Sequence, residues 1–210
     1  MSLLRFLSLL IFYLLILKSG VAQFQYNTPV KLKREFGIDG GLNWNTIKVD
    51  TVKYAANQGY QFGLYYRTGD DLWLQAGLSY FHFATENVEI PSQSLSYSSI
   101  VIPVLVGWRI DEDPNENFGL NLFGGVNLGY VLKVQQNGAI SSGFNNFQFD
   151  LTGGAGFDLY VVRAGVAYAY GLNSVLDFYK SHPSYLYIFM GIAISDLIHG
   201  HEGNQPNHPH

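Results

Sequence analysis

The side chains able to do chemistry are few and scattered. Four imidazoles close the chain in "DLIHGHEGNQPNHPH" (196–210): His199 and His201, then His208 and His210, each pair at His-x-His spacing, with Glu202 beside the first. Such spacing could hold Zn²⁺ or Ni²⁺. A tract rich in Asn, Pro and Gly needs no packed structure, so a solvated terminus is the expected state and no cofactor is implied. His82 and His182 are the other two histidines, and no serine or acid stands at a spacing that marks either as a general base. The chain has no cysteine, which removes thiol catalysis, Cys-ligated metal and disulfides. "GGVNLG" (124–129) and "GGAGFDL" (153–159) resemble phosphate loops only in composition. The second fails the G-x-G-x-x-G spacing, and neither opens a helix of a βαβ unit. An enzyme is not expected.

Six charges do share a pattern, but it appears only once the chain is divided into strands. "FGLNLFGGVNLGY" (118–130) splits at every second residue. Phe118, Leu120, Leu122, Val126, Leu128 and Tyr130 fall on one side, and Asn121, Asn127 and several glycines on the other. A period of two is the signature of a strand whose faces meet different surroundings. Segments of this kind recur at about 35–45, 58–68, 71–84, 97–110, 117–131, 146–160, 161–172 and 184–196. The connections alternate in length. "IKVDTVKYAANQ", "ENVEIPSQSLSY", "KVQQNGAISSGFNN" and "NSVLDFYKSHPS" are long and polar, whereas "TGDD", "DEDPNEN" and the turn near Leu159–Val162 are short. Short turns on one side and long loops on the other are the layout of a transmembrane barrel. The predicted fold is all-β: an eight-stranded antiparallel outer-membrane barrel over residues 35–196.

Composition agrees. Charged residues make up 13% of the 210 and aromatics 16%, where a soluble domain carries about a quarter charged. The net charge of −4 comes without a basic run, so nucleic acid is not an expected partner and outer-membrane lipid is. Residues 1–22 read as a cleaved export signal, with Arg5, the apolar run "FLSLLIFYLLIL" and the small residues of "GVA" before Gln23. Residues 23–34 then form a periplasmic lead-in, and 197–210 a His-rich tail. The expected location is the outer membrane of a diderm bacterium.

The strand faces place the remaining residues. With strand one running outward, Trp44, Tyr60, Tyr80, Tyr130 and Tyr170 fall at the outer rim, and Phe36, Tyr66, Trp108 and Phe118 at the inner. Amphipathic rings favour the headgroup level, which produces two girdles. Phe36 and Trp44 would lie roughly 20 Å apart along the normal at ~3.3 Å per residue and a tilt near 40°. On the opposite, inward faces lie Asp39, Arg67, Arg109, Asp150, Asp158 and Arg163. A barrel of eight strands is about wide enough for its own side chains, and buried charges persist when paired. An ion-pair network plugging the lumen is therefore expected. The rival readings are a narrow pore for small solutes and a lipid or peptide hydrolase at the rim using His82.

The arrangement also resembles the PorT-like outer-membrane β-barrel family. The likeness is carried by "FGIDGGLNWN" (36–45), "LWLQAGLSYF" (72–81), "SIVIPVLVGWRI" (99–110), "FGLNLFGGVNLGYVL" (118–132), "FDLTGGAGFDL" (149–159) and "RAGVAYAYGLNSV" (163–175). Ile102–Pro103, Arg163 and Tyr170–Gly171–Leu172 match the family's marks on the fourth and seventh strands. The resemblance implies a barrel without general transport activity and, for some members, an accessory role in protein secretion or outer-membrane assembly, with other envelope proteins as partners. Family members usually stop at their last strand. The residues after Ser195 would then have a task of their own, or leave the insertion signal internal.

Overall fold

A strand with one apolar and one polar face leaves two problems, an unpaired edge and an exposed greasy side. A closed barrel in lipid solves both. The computed structural model describes residues 34–49, 52–87, 94–110, 118–137, 145–174 and 182–194. The chain divides into residues 1–32, which lie outside that set together with the expected signal sequence, and a second unit from Lys33 onward. The His-rich tail also lies outside the described residues.

The second unit holds eight strands: β1 (Arg34–Val49), β2 (Val52–Gly69), β3 (Leu72–Asn87), β4 (Ser94–Arg109), β5 (Phe118–Asn137), β6 (Phe147–Leu159), β7 (Val162–Gly171) and β8 (His182–Ala193). Each pairs antiparallel with the next, and β1 pairs with β8 from Gly37↔Ala193 to Lys48↔His182, which closes the barrel. At one end, the turn end, β2 joins β3 through residues 70–71 and β6 joins β7 through 160–161. Gly69 (φ 128°) and Tyr160 (φ 52°) take the left-handed backbone these tight reversals demand. The strand ends at the other side form the loop end.

Connection lengths at the loop end differ from expectation. "IKVDTVKYAANQ" is mostly strand, since Val49 pairs with Val52 and only residues 50–51 intervene. Backbone hydrogen bonds hold a hairpin together whether or not its side chains meet lipid. A polar segment can therefore continue the ladder above the apolar belt. Strands β3, β4 and β5 likewise run past the sequence-based limits, to Asn87, from Ser94 and to Asn137. Strands β6 and β7 do not rise with them, whereas β8 begins at His182, paired with Lys48 beside the tip of the β1–β2 hairpin. His182, expected in the last loop, is the first residue of β8.

The alternation translates into two surfaces. Ile38, Phe62, Leu64, Leu122, Leu151, Val166, Tyr168 and Ile188 are exposed on the outside, while Tyr65, Trp73, Phe83, Tyr97, Tyr185 and Ile47 are buried within. In water such an outer face would cost heavily; in hydrocarbon it does not. The alternation survives two local insults. Pro103 lies mid-strand in β4, and the β3–β4 register passes from Ala76↔Val104 to Ser79↔Val101 across it, because proline offers no ladder N–H. Gly77 faces it, and a Cβ there would sit 2.7 Å from the Leu64 carbonyl and 3.2 Å from Pro103 Cγ. In β5, Leu132 is an extra residue: Ser99 pairs with Val131, but Ser98 with Lys133. The bulge keeps Lys133 outside and turns Val134 onto the core.

Candidate functional site

The lumen is the most elaborate part of the described barrel, and it has two tiers. At the turn end, one carboxylate oxygen collects three donors. Asp158 Oδ2 accepts from Arg67 Nη1 at 2.7 Å, Asn121 Nδ2 at 3.0 Å and Arg109 Nη2 at 3.4 Å. Backbone pairing sets this up, since Arg67 is the register partner of Glu35, Arg109 of Asn121, and Asp158 of Arg163. Glu35, not anticipated, adds a second carboxylate 3.7 Å from Arg67 and accepts a 2.6 Å hydrogen bond from the Tyr65 hydroxyl. It has the same parity as Asp39 on β1, so the alternation already pointed it inward.

Arg163 belongs to this tier but meets no carboxylate within 4 Å among the described residues. It donates to Gln75 Oε1 at 2.7 Å and lies 4.4 Å over the Tyr65 ring and 5.3 Å over Phe189. Arg67 similarly covers Trp73 at 4.3 Å, whose indole N–H donates to Asn121 Oδ1 at 3.0 Å. Guanidinium planes stack on rings where ammonium groups do not, which fits the absence of lysine here. Asp39 makes no ion pair among the described residues. It shares with Arg163 the space left by Gly191, where a Cβ would come 3.0 Å from Asp39 Cβ and 3.1 Å from Arg163 Cγ.

The second tier, toward the loop end, is aromatic. Phe81, Phe83, Tyr97 and Tyr185 pack with ring centroids 4.8–5.9 Å apart, and Phe123 bridges to Trp73 at 6.2 Å. Asp150, expected in the ion-pair network, lies in this tier. Its partner is the Tyr185 hydroxyl, which donates to Oδ2 at 2.9 Å and itself accepts from Asn127 Nδ2 at 2.9 Å. Further pairs, Asn45–Tyr97 at 3.0 Å and Ser99–Gln148 at 3.2 Å, lie buried in the same tier. Of the six charges named from sequence, Arg67, Arg109 and Asp158 meet directly, Arg163 joins them through Gln75, and Asp39 and Asp150 stand apart. Ring-filled strands β3, β4 and β8 are apolar on both faces, so their period gave no sign of which rings point inward.

Two small cavities lie among the described lumen residues. A cavity of about 40 Å³ lies between the tiers, lined by Asp39, Gln61, Phe123, Asn127, Arg163 and Tyr187 among others. Another of about 10 Å³ lies at Glu35, Arg67, Asp70 and Arg109. These volumes admit a few waters and no solute.

The nine rim aromatics all lie on outward positions. Phe36, Tyr60, Tyr66, Trp108, Phe118 and Tyr170 are exposed, and Trp44, Tyr80 and Tyr130 are half-covered by neighbours. His82 is outward too, with a partner sequence spacing had not indicated: its Nδ1 lies 3.1 Å from Ser98 Oγ on the adjacent strand. His182 Nδ1 lies 3.1 Å from the Gly171 carbonyl, and its ring stacks on Tyr170 at 5.9 Å. Among the described residues no three His, Asp or Glu side chains converge as a metal site would need.

A closed eight-stranded antiparallel barrel, greasy outside and packed within, defines a membrane-spanning β-barrel protein. The chain belongs to the outer membrane protein beta-barrel domain family, whose model matches residues 13–182; it is an outer-membrane protein of a Gram-negative bacterium. Among solved structures it is similar to Neisserial surface protein A, with a TM-score of 0.50 and 13% identity over 77% of this chain and 99% of that one. It is also similar to the outer membrane protein OprG from Pseudomonas aeruginosa, with a TM-score of 0.48 and 15% identity over 75% and 94%. The outer membrane enzyme PagL matches at 0.44, with 14% identity over 73% and 99%. No curated protein sequence matches.

Proposed function

We propose that this barrel is a non-enzymatic, non-conducting interaction protein of the outer membrane, which presents its loop or turn end to other envelope components. The observation that carries this is the filled lumen, with the Arg67–Asp158–Arg109 cluster and Trp73 at one level and the Phe123, Phe81, Phe83, Tyr97 and Tyr185 rings above it. A conduit needs a continuous wet path, and the described cavities of about 40 and 10 Å³ do not form one, although Arg109 Nε, Arg163 Nε, Asn127 Oδ1 and Asp150 Oδ1 are buried without a hydrogen-bond partner among the described residues. Placement near the PorT-like barrels is supported by Ile102–Pro103, Arg163 and Tyr170–Gly171–Leu172. An accessory role in secretion or outer-membrane assembly follows from that placement.

The test is conductance in planar bilayers. The wild-type protein is expected to stay silent at moderate voltage, while Trp73→Ala combined with Phe123→Ala leaks ions. Stable single-channel steps from the wild type would overturn the sealed reading and favour the narrow pore. Pulldown from outer membranes in mild detergent then identifies the partner. Recovery of the barrel alone at every loading would count against the interaction role.

A further inference from the structure

The outer wall carries a row of polar side chains that neither the lumen nor the apolar belt accounts for. Cross-strand pairing aligns Tyr60 with His82, His82 with Ser98 and Ser98 with Lys133, one residue from each of β2, β3, β4 and β5. All four point outward by parity. The row toward the turn end is apolar and aromatic: Phe62, Tyr80, Ile100 and Tyr130. The polar row thus sits just beyond one margin of the lipid-facing belt, where headgroups begin.

Two register shifts flank the row. One extra residue is absorbed in β2 between Ala56 and Tyr60, and one in β5 at Leu132. Without the second, Lys133 would fall opposite Tyr97 and point into the lumen. Bulges re-aim side chains in this way. Strand β6 ends its pairing with β5 at Phe147↔Tyr130, so Lys133 lies past that neighbour and is exposed.

Hydrogen bonds and ring stacking tie Tyr60, Tyr80, His82 and Ser98 together. Tyr80 donates its hydroxyl to Ser98 Oγ at 2.8 Å, and His82 Nδ1 lies 3.1 Å from the same oxygen. In the tautomer whose Nδ1 accepts from Ser98, the imidazole proton sits on Nε2 as an outward donor. The Tyr60 ring stacks on His82 at 5.0 Å and fixes its plane. Ser98 is buried beneath these groups, with Tyr80 on one of its lone pairs. In that tautomer the His82 Nε2–H and the Lys133 ammonium both face outward as donors. Their strands are two spacings apart, roughly 10 Å, a gap both side chains can close over an anion above Ser98. On the same face of β3, Glu86 stands four residues farther toward the loop end, about 13 Å away.

We propose that His82 and Lys133, positioned by Ser98, Tyr80 and Tyr60, bind the phosphate of an anionic membrane lipid on the outside of the barrel. The site is independent of whether the lumen conducts. Any occupant at this height on a lipid-facing wall must be amphipathic, and two donors including a cation select a phosphate with net negative charge.

Native mass spectrometry of the detergent-solubilised full chain, offered phosphatidylglycerol or phosphatidylcholine, reads retained lipid directly. The wild type is expected to keep phosphatidylglycerol at least fivefold better than phosphatidylcholine. Lys133→Gln and His82→Phe, the latter keeping the ring stack, should each lose that preference. Heat-modifiable mobility on gels establishes that the variants are folded. Equal retention of the two lipids, or a preference unchanged in both folded variants, overturns the proposal. Displacement of the lipid by millimolar inorganic phosphate would overturn the lipid assignment in favour of a free-phosphate site.

Discussion

At Asp158 a single oxygen accepts from two arginines and an asparagine. Breaking a buried pair leaves charge without a partner, which costs more than the pair itself contributes. Asp158→Asn should therefore lower stability by about 3 kcal/mol, near the low end for buried pairs. Urea unfolding in detergent micelles reads the change, and a loss under 1 kcal/mol would mean Glu35 alone suffices for Arg67. Four charged members of this cluster were legible because parity alone sends Arg67, Arg109, Asp158 and Arg163 inward, while Glu35, of the same inward parity, was missed. Their heights were not. Two residues of equal parity can stand at opposite ends of a strand, which is why Asp150 bonds to Tyr185 instead of an arginine. Gln75, Asn121 and Trp73, which complete the cluster, carry no charge to draw notice.

The eight strands themselves were readable, because lipid on one side and a narrow lumen on the other enforce the period of two along most of them. Their upper limits were not, since a hairpin that rises clear of the membrane loses the lipid face that makes the period visible. Pro103 shows how an element tolerates a residue that should break it. The missing N–H falls opposite Gly77, the one residue type that lets the Leu64 carbonyl and the proline ring crowd the same spot. Gly77→Ala should shift β2 or β4 and lower stability by about 1–3 kcal/mol, as overpacking does. The check is the same micellar unfolding, with Gly153→Ala as comparison, since a Cβ there would meet only the Phe123 carbonyl at 3.7 Å. Equal effects at the two sites would rule out crowding as the reason for glycine.

For the molecule as a whole, closure was implied by strand count and by a composition with too few charges for water. That rings fill much of the described lumen was visible only once the register had brought Phe83, Tyr97 and Tyr185 together. The register also has a history written into it. Every register shift among the described residues lies toward the loop end, at Asn45/Ile47, Ala56/Tyr60 and Ser98/Ser99, while the ladders below run unshifted to the turns. A single added residue reverses inside and outside for the rest of its strand unless a bulge absorbs it. Lineages of this barrel should therefore gain and lose residues freely above the Tyr60–Lys133 row and almost never below it. An alanine inserted after Lys133 should still give a heat-modifiable barrel, and one inserted after Leu122 should not. The membrane, by fixing which face of each strand is greasy, has divided the chain into a half where evolution can edit length and a half where it can only exchange letters.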